Sequence, residues 1–126
     1  MTDIHIRAPF VLTHIFLEFL KKSKGCIINI SSDKASRPEG GLIGFSMCKA
    51  GIEMMTKSSA LELGPLGIRV NCVSPSFVES NLYRVAGMTE PEIDALKNRS
   101  AKNIPIQRVA KAPEVAKAII YLSGEQ

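Results

Sequence analysis

The apolar positions of the chain fall into blocks whose spacing changes, and the change divides it into elements. From residue 4 to residue 22, Phe10, Val11, Leu12, Ile15, Phe16, Leu17, Phe19 and Leu20 recur at helical intervals but cover more of the circumference than one stripe. That pattern predicts a helix buried on two sides. The next run, Cys26-Ile27-Ile28-Asn29-Ile30, is short, continuous and β-branched, as expected of a parallel strand covered on both faces. Ser31 and Ser32 stand at its carboxyl end, and residues 33–44, with Pro38, Gly40, Gly41 and Gly44, read as a loop. A second helix, from about Phe45 to Leu63, stops at Gly64-Pro65-Leu66-Gly67, where glycine supplies a left-handed cap and proline blocks continuation. Ile68 to Val73 predicts a second buried strand, closed by Ser74-Pro75-Ser76, so strand, helix and strand form a right-handed β-α-β unit. Residues 77–88 read as an irregular excursion placed where a lid would be. Thr89-Glu90-Pro91-Glu92 carries a capping box for a short helix to about Arg99, and Ala112-Pro113 opens a last helix with Val115, Ile119 and Leu122 on one face.

The class is therefore α/β, and the 126 residues set a ceiling of one folding unit, residues 1–126. Two strands do not make an independent sheet of ordinary size, and three or more helices packed on them leave apolar surface uncovered. The expected architecture is thus part of a larger three-layer α-β-α domain with a parallel sheet. Hydrophobic residues make up 45% and charged residues 22%, which excludes a disordered or fibrous chain. The most apolar run, Phe10 to Leu20, contains Thr13, His14 and Glu18 and is too short to span a bilayer. No basic region followed by an apolar one opens the chain, so an intracellular, cytoplasmic protein is expected.

Charge and cysteine usage narrow the classes further. The net charge is +4, and its only tight cluster, Lys21, Lys22 and Lys24, stands at a helix end where cations complement the macrodipole. No basic stripe with interleaved aromatics points to nucleic acid. Cys26, Cys48 and Cys72 are odd in number and widely spaced, which argues for reduced, mostly buried thiols rather than disulfides or a metal site.

Candidate chemistry concentrates between the first strand and the second helix. Reducing a carbonyl by hydride transfer needs a donor to polarise the oxygen, an acid to protonate it, and a cation that lowers the acid's pKa; serine, tyrosine and lysine suffice. A lysine four positions after the acid shares its helical face, and a serine at a strand end can reach the same oxygen. Ser32 and Lys49 have those placements, but Phe45 stands where the tyrosine belongs. Taken singly, Ser32 reads equally as a strand-end cap and Lys49 as a solvated helix lysine. His5 reads as a packed or solvated histidine or as an acid near neutral pH, and His14 as an interface or core histidine. Tyr83 and Tyr121 carry phenols, but neither has Lys49 as a helical neighbour. Gly40-Gly41-Leu42-Ile43-Gly44 follows a loop rather than a strand and lacks the spacing of a pyrophosphate turn.

The chain resembles the short-chain dehydrogenase/reductase family, over that family's second half. The resemblance rests on Asn29-Ile30-Ser31-Ser32, with Ser32 thirteen positions before Phe45. It rests also on Lys49-Ala50-Gly51, on Gly67-Ile68-Arg69-Val70-Asn71-Cys72-Val73-Ser74-Pro75 and on Ile104-Pro105-Ile106-Gln107-Arg108, in that order. It implies a partial Rossmann-like domain, the carboxyl-terminal half of a doubly wound parallel sheet. The glycine-rich cofactor half is absent from these residues, as is a last strand after Gln126.

The resemblance further implies Ser32 and Lys49 as catalytic positions, with Lys49 bonding the nicotinamide ribose. Phe45 takes the tyrosine position, and His5 that of an asparagine which supports a relay water. Pro75, Ser76, Val78 and Ser80 are implied near the nicotinamide amide, Ser76 replacing a glycine and Ser80 a threonine. Phe77, Leu82, Tyr83 and Met88 would line an apolar substrate pocket beneath the lid. The implied cofactor is NAD or NADP, with weak binding expected of these residues alone. The implied activity is an oxidoreductase of ketones or secondary alcohols, truncated and catalytically impaired. The alternative is a noncatalytic pseudoenzyme or interaction protein. In either case the resemblance implies a homo-oligomer joined through helices 4–22 and 45–63, with no nucleic-acid or membrane partner.

Overall fold

The computed structural model describes residues 1–124. A π-helical turn, Asp3–Arg7, leads into helix α1, Ala8–Ser23, where a single helix over 4–22 was expected. Pro9 explains the break: it has no N–H to donate to His5 O, and its ring crowds that carbonyl, so the preceding turn opens and Ala8 N bonds back to Asp3 O. Lys24 then takes a left-handed conformation (φ 51°), and the chain turns into strand β1, Cys26–Ile30. Helix α2, Ile43–Leu63, begins two residues earlier than expected, and Gly67 (φ 78°), rather than Gly64, supplies the left-handed residue before strand β2, Arg69–Val73.

β1 and β2 are parallel, with Cys26 opposite Arg69 and Ile30 opposite Val73. Side chains alternate across a strand, so the two faces can be assigned from their contacts. Asn29 Nδ2 donates to Thr56 Oγ1 on α2 at 2.9 Å, and Thr56 Oγ1 donates in turn to Ile52 O at 2.8 Å. On the opposite face, Cys26 Sγ reaches Ser123 O of helix α5, Ala112–Ser123. Arg69 extends that contact, its guanidinium donating to Leu122 O (2.7 Å) and Gly124 O (2.9 Å) at the helix end. The result is the expected α-β-α layering, with Val115, Ile119 and Leu122 half-buried on the inner side of α5.

The excursion after β2 is more ordered than its sequence suggests. Strand β3, Val78–Glu79, pairs in parallel with strand β4, Ala110–Lys111, and Ala110 N bonds Phe77 O at 3.1 Å. Between them lie a short helix α3, Leu82–Val85, and helix α4, Glu90–Lys102, whose capping box is present, with Thr89 N bonding Glu92 Oε2 at 2.8 Å. The small sheet was not expected, because two-residue strands carry no readable period and depend on a partner thirty-two residues away.

The buried core consists of Cys48, Ile52, Ile68, Val70 and Val109. Four burial expectations are corrected. No residue of α1 is buried; Thr13, Leu17 and Leu20 form a half-buried stripe, while Phe10, Phe16 and Phe19 remain 51–67% exposed. Among the described residues the helix packs on β1, while α2 packs on the π-helical turn before it, so the second face of α1 stays uncovered. β1 is likewise half-covered, with Ile30 39% exposed. His14 is exposed rather than in the core, and only Cys48 of the three free thiols is buried. No helix among the described residues is long and apolar enough to cross a membrane. The expectation of a last strand after Gln126 lies outside the described residues.

Candidate functional site

Lys49 is the centre of the site and is not a solvated helix lysine. It is 8% exposed, and its Nζ donates to Ile30 O at the end of β1 at 2.9 Å. The same ammonium lies 5.6 Å from the centroid of Phe45, within the range of a cation–π contact. Phe45 in turn meets His5 edge-on, ring centroids 6.1 Å apart at 88°. Three of the four implied catalytic positions, His5, Phe45 and Lys49, thus form one contiguous group. α2 presents Phe45 and Lys49 one turn apart, and the π-helical turn before α1 carries His5 onto them.

Burial acts on the charges in this group. Desolvation lowers the pKa of Lys49 from the ordinary lysine value, with Cys72 and Cys48 opposing the shift. Desolvation also lowers that of His5, helped by repulsion from Lys49 and the amino terminus. The shift favours the neutral imidazole of His5, which counts against the reading of it as an acid near neutrality.

The fourth position is engaged elsewhere. The Ser32 hydroxyl accepts from Lys34 N at 3.2 Å and donates to Asp33 Oδ1 at 3.2 Å, capping the 3-10 turn Asp33–Ala35. Its neighbour Ser31, 4% exposed, donates to Lys49 O at 3.0 Å. Ser31, Asn29 and Thr56 thus tie β1 to α2, a role not assigned from the sequence. Strand alternation held the signal: Ile27, Asn29 and Ser31 share the face that receives α2, and polar groups at two of those positions need partners.

The residues implied around the nicotinamide separate. Pro75 O accepts from Asp33 N at 3.0 Å, which joins the end of β2 to the Ser32 turn. Val78 is held in the small sheet. Ser76 lines a cavity of about 170 Å³ with Phe77, Ile106 and Arg108, whereas Ser80 lines another of about 280 Å³ with Phe77, Tyr83, Arg84 and Lys97. Both are smaller than the usual ligand pocket. Arg108 holds a bidentate pair with Glu114 (2.6 and 2.8 Å), and that contact, with Lys111 N, brings the Glu114 pKa down to about 2.

The expected apolar lid pocket is corrected as well. Phe77 and Tyr83 stack face to face, centroids 4.9 Å apart, but Leu82 is 65% exposed and Met88 lines neither cavity. Acidic and basic residues of α3 and α4 line the larger cleft, with Arg84 paired to Glu90 and Lys97 to Glu79. They do so because Glu90, Asp94 and Lys97 recur about one turn apart on one face of α4. Glu39 of the Ser32 loop bridges Lys34 (2.9 Å) and Arg99 of α4 (3.6 Å), and burial raises the Tyr83 phenol above its ordinary pKa. Gly41 (φ 82°) serves the loop turn before α2, and Gly44, expected in the loop, lies in the first turn of that helix. No cluster of metal-ligating side chains occurs among the described residues.

Known proteins are similar to this chain in sequence and in fold. The family described as enoyl-(acyl carrier protein) reductase matches residues 1–126. The chain is 35% identical to the 3-oxoacyl-(acyl-carrier-protein) reductase of Chlamydia trachomatis, over 91% of this chain and 44% of that protein. It is 32% identical to the acetoacetyl-CoA reductase of Allochromatium vinosum, over 98% and 48%. The chain therefore spans about half the length of the curated relatives it matches. Among solved structures, a short-chain dehydrogenase/reductase of unknown function from Caenorhabditis elegans, crystallised with cofactor, superposes with a TM-score of 0.86 at 31% identity, over 94% of this chain and 45% of that one. A tyrosine-to-phenylalanine variant of ElxO with NADPH bound gives a TM-score of 0.86 at 25% identity, over 100% and 50%.

Proposed function

The chain belongs to the short-chain dehydrogenase/reductase family, and on that premise we propose that residues 1–126 are the catalytic-side half of an NAD(P)(H)-dependent oxidoreductase of ketones or secondary alcohols, impaired by Phe45. The observation that carries this reading is the buried ammonium of Lys49, held between the Phe45 ring and Ile30 O. A buried cation with one hydrogen-bond acceptor is costly to maintain for stability alone, which supports a ligand role such as the ribose contact that the family resemblance implies for Lys49.

When bound, the cofactor would supply or accept the hydride. Lys49 would hold its ribose, Pro75 and Ser76 would lie along the nicotinamide edge, and Ser32 would turn from Asp33 to the substrate oxygen. Phe45 offers that oxygen no proton, so reduction stops short of efficient turnover. Solved ElxO carrying a tyrosine-to-phenylalanine change still holds NADPH, which supports cofactor binding without one phenol. Relatives named for 3-oxoacyl and acetoacetyl thioesters make acetoacetyl-CoA the first ketone to assay.

Calorimetric titration of the purified chain with NADPH and NADH tests the reading. Saturable binding that weakens at least roughly tenfold in Lys49→Ala is expected, the loss of one charge-assisted hydrogen bond. A folded chain that binds neither nucleotide would leave only the family scaffold, and the noncatalytic alternative would stand.

The same proposal includes self-association through α1 and α2. Phe10, Phe16 and Phe19 on α1, with Met47, Met54 and Leu61 on α2, leave an apolar surface that water does not favour. Sedimentation should give a dimer, and Phe16→Glu should return it to a monomer; a monomeric native chain at micromolar concentration would sink this part.

A further inference from the structure

Lys49 is fastened to the end of β1 at both of its own ends. Its Nζ donates to Ile30 O at 2.9 Å, and its backbone carbonyl accepts from Ser31 Oγ at 3.0 Å. Two consecutive residues of the strand region thus hold one residue of α2, one at the tip of the side chain and the other at its root. The root contact is not required by the helix. The Lys49 carbonyl lies in the interior of α2, where the helical ladder supplies a donor, and it takes the serine on its second lone pair. The Ser31 hydroxyl, in a residue 4% exposed, does require an acceptor. What the bond adds to its own satisfaction is a fixed point beneath a long, rotamer-rich stem, and an ammonium is placed only as well as the backbone that carries it.

The other polar contact between the same elements stands apart from the lysine. Asn29 Nδ2 meets Thr56 Oγ1 at 2.9 Å, about two helical turns beyond Lys49 along α2. Thr56 is 6% exposed, as buried as Ser31, but its bonds run to Asn29 and to Ile52 O, and neither reaches Lys49 or Ile30. One contact therefore holds helix to strand, whereas the other holds helix to strand and also sets the base of the Lys49 side chain. Ser32, the serine at the implied catalytic position, takes no part, since its hydroxyl bonds within its own turn.

We infer that Ser31 is a positioning residue for Lys49: its hydroxyl fixes the turn of α2 from which the lysine stem reaches Ile30 O, and so holds the ammonium ready for the cofactor ribose. This rests on the reading of Lys49 as a ribose ligand given above. Ser31 acts through Lys49 alone.

The test is the titration of Lys49 Nζ, followed by NMR in the chain carrying isotope-labelled lysine and assigned by its loss in Lys49→Ala. The titratable groups whose charges couple to this ammonium, His5, Cys48 and Cys72, are kept in every variant. Ser31→Val should bring the Lys49 pKa back toward the ordinary lysine value, because a stem freed at its root lets the ammonium reach water. Ser31→Thr, of the same shape but with a hydroxyl, should keep the native titration. Thr56→Val should lower the urea midpoint and leave the Lys49 titration in place. A native titration in Ser31→Val, an equal change in Ser31→Thr, or an equal change in Thr56→Val would each overturn the inference. Failure of both Ser31→Val and Ser31→Ala to fold would overturn it too, since the hydroxyl would then hold the whole fold rather than one side chain. NADPH separates this inference from the functional proposal, because the titration is read without cofactor. A chain that binds no NADPH removes the ribose role, while a shifted titration in Ser31→Val still establishes the hold of Ser31 on Lys49. Where the native chain binds NADPH, Ser31→Val should weaken it roughly three- to tenfold and Ser31→Thr should not; undiminished binding in Ser31→Val would overturn the link to the ribose.

Discussion

Phe45→Tyr should raise NADPH-dependent ketone reduction by roughly 10²- to 10⁴-fold over the native chain, both assayed with the complementary half-domain present, the gain expected of a positioned general acid. Phe45 is half-buried on α2, and the ammonium of Lys49 lies 5.6 Å from its ring centroid, so a hydroxyl added to that ring enters the field of a buried cation. The phenolate is then favoured and the phenol becomes a better acid than free tyrosine. Two measurements distinguish this from a general gain in packing. The rate should follow a new titration below the ordinary tyrosine pKa, and Lys49→Met in the Phe45→Tyr background should remove both the rate and that titration. A Phe45→Tyr complex that binds NADPH but turns over no faster than the native chain would show that Ser32, position 45 and Lys49 do not act on one oxygen.

The second large effect is on stability. Ile68 is 1% exposed, the most deeply buried large side chain described, and its backbone joins the end of α2 to the start of β2 through a bond from Ile68 N to Leu63 O. Ile68→Ala removes the methylenes that fill the space between the helix and the sheet and leaves a cavity there; the expected loss is about 3 kcal/mol. With only five buried apolar side chains in the described core, that loss is a large share of what a domain of this size possesses. Urea denaturation should show a lower midpoint with an unchanged slope. A loss below about 1 kcal/mol would mean that the site collapses around the smaller side chain and that the core is not close-packed there.

The two predictions draw on different amounts of sequence information. That position 45 lacks a hydroxyl four residues before a lysine is a matter of residue identity and helical spacing. The strand, helix and strand around it could be placed within a residue or two, because a continuous β-branched run, a Gly-Pro stop and a capping box are each made by neighbouring residues. Ser32 and Lys49 could be nominated for the same reason. The nomination left open the capping reading that Ser32 in fact adopts, and did not reveal that the neighbouring Ser31 holds the backbone of Lys49. The Ser32 cap is local, made with the next two residues; the Ser31 bond depends on which face of β1 receives α2, and that is settled by packing between segments eighteen residues apart.

Local pattern therefore determined the α/β class, the order of the main strands and helices, the glycine-proline stop after α2 and the missing phenol, since each follows from side chains within one turn or one strand. Only the tertiary structure decided that α1 keeps its second face exposed, that β3 and β4 pair, that the lid cleft is charged rather than apolar, and that Lys49 is buried against Ile30 O. An apolar side chain has the same hydropathy whether a partner covers it or not, and a lysine has the same spacing whether its charge faces water or a strand end. Burial and partnership belong to pairs of distant segments, and they are defined only when the chain has closed around them.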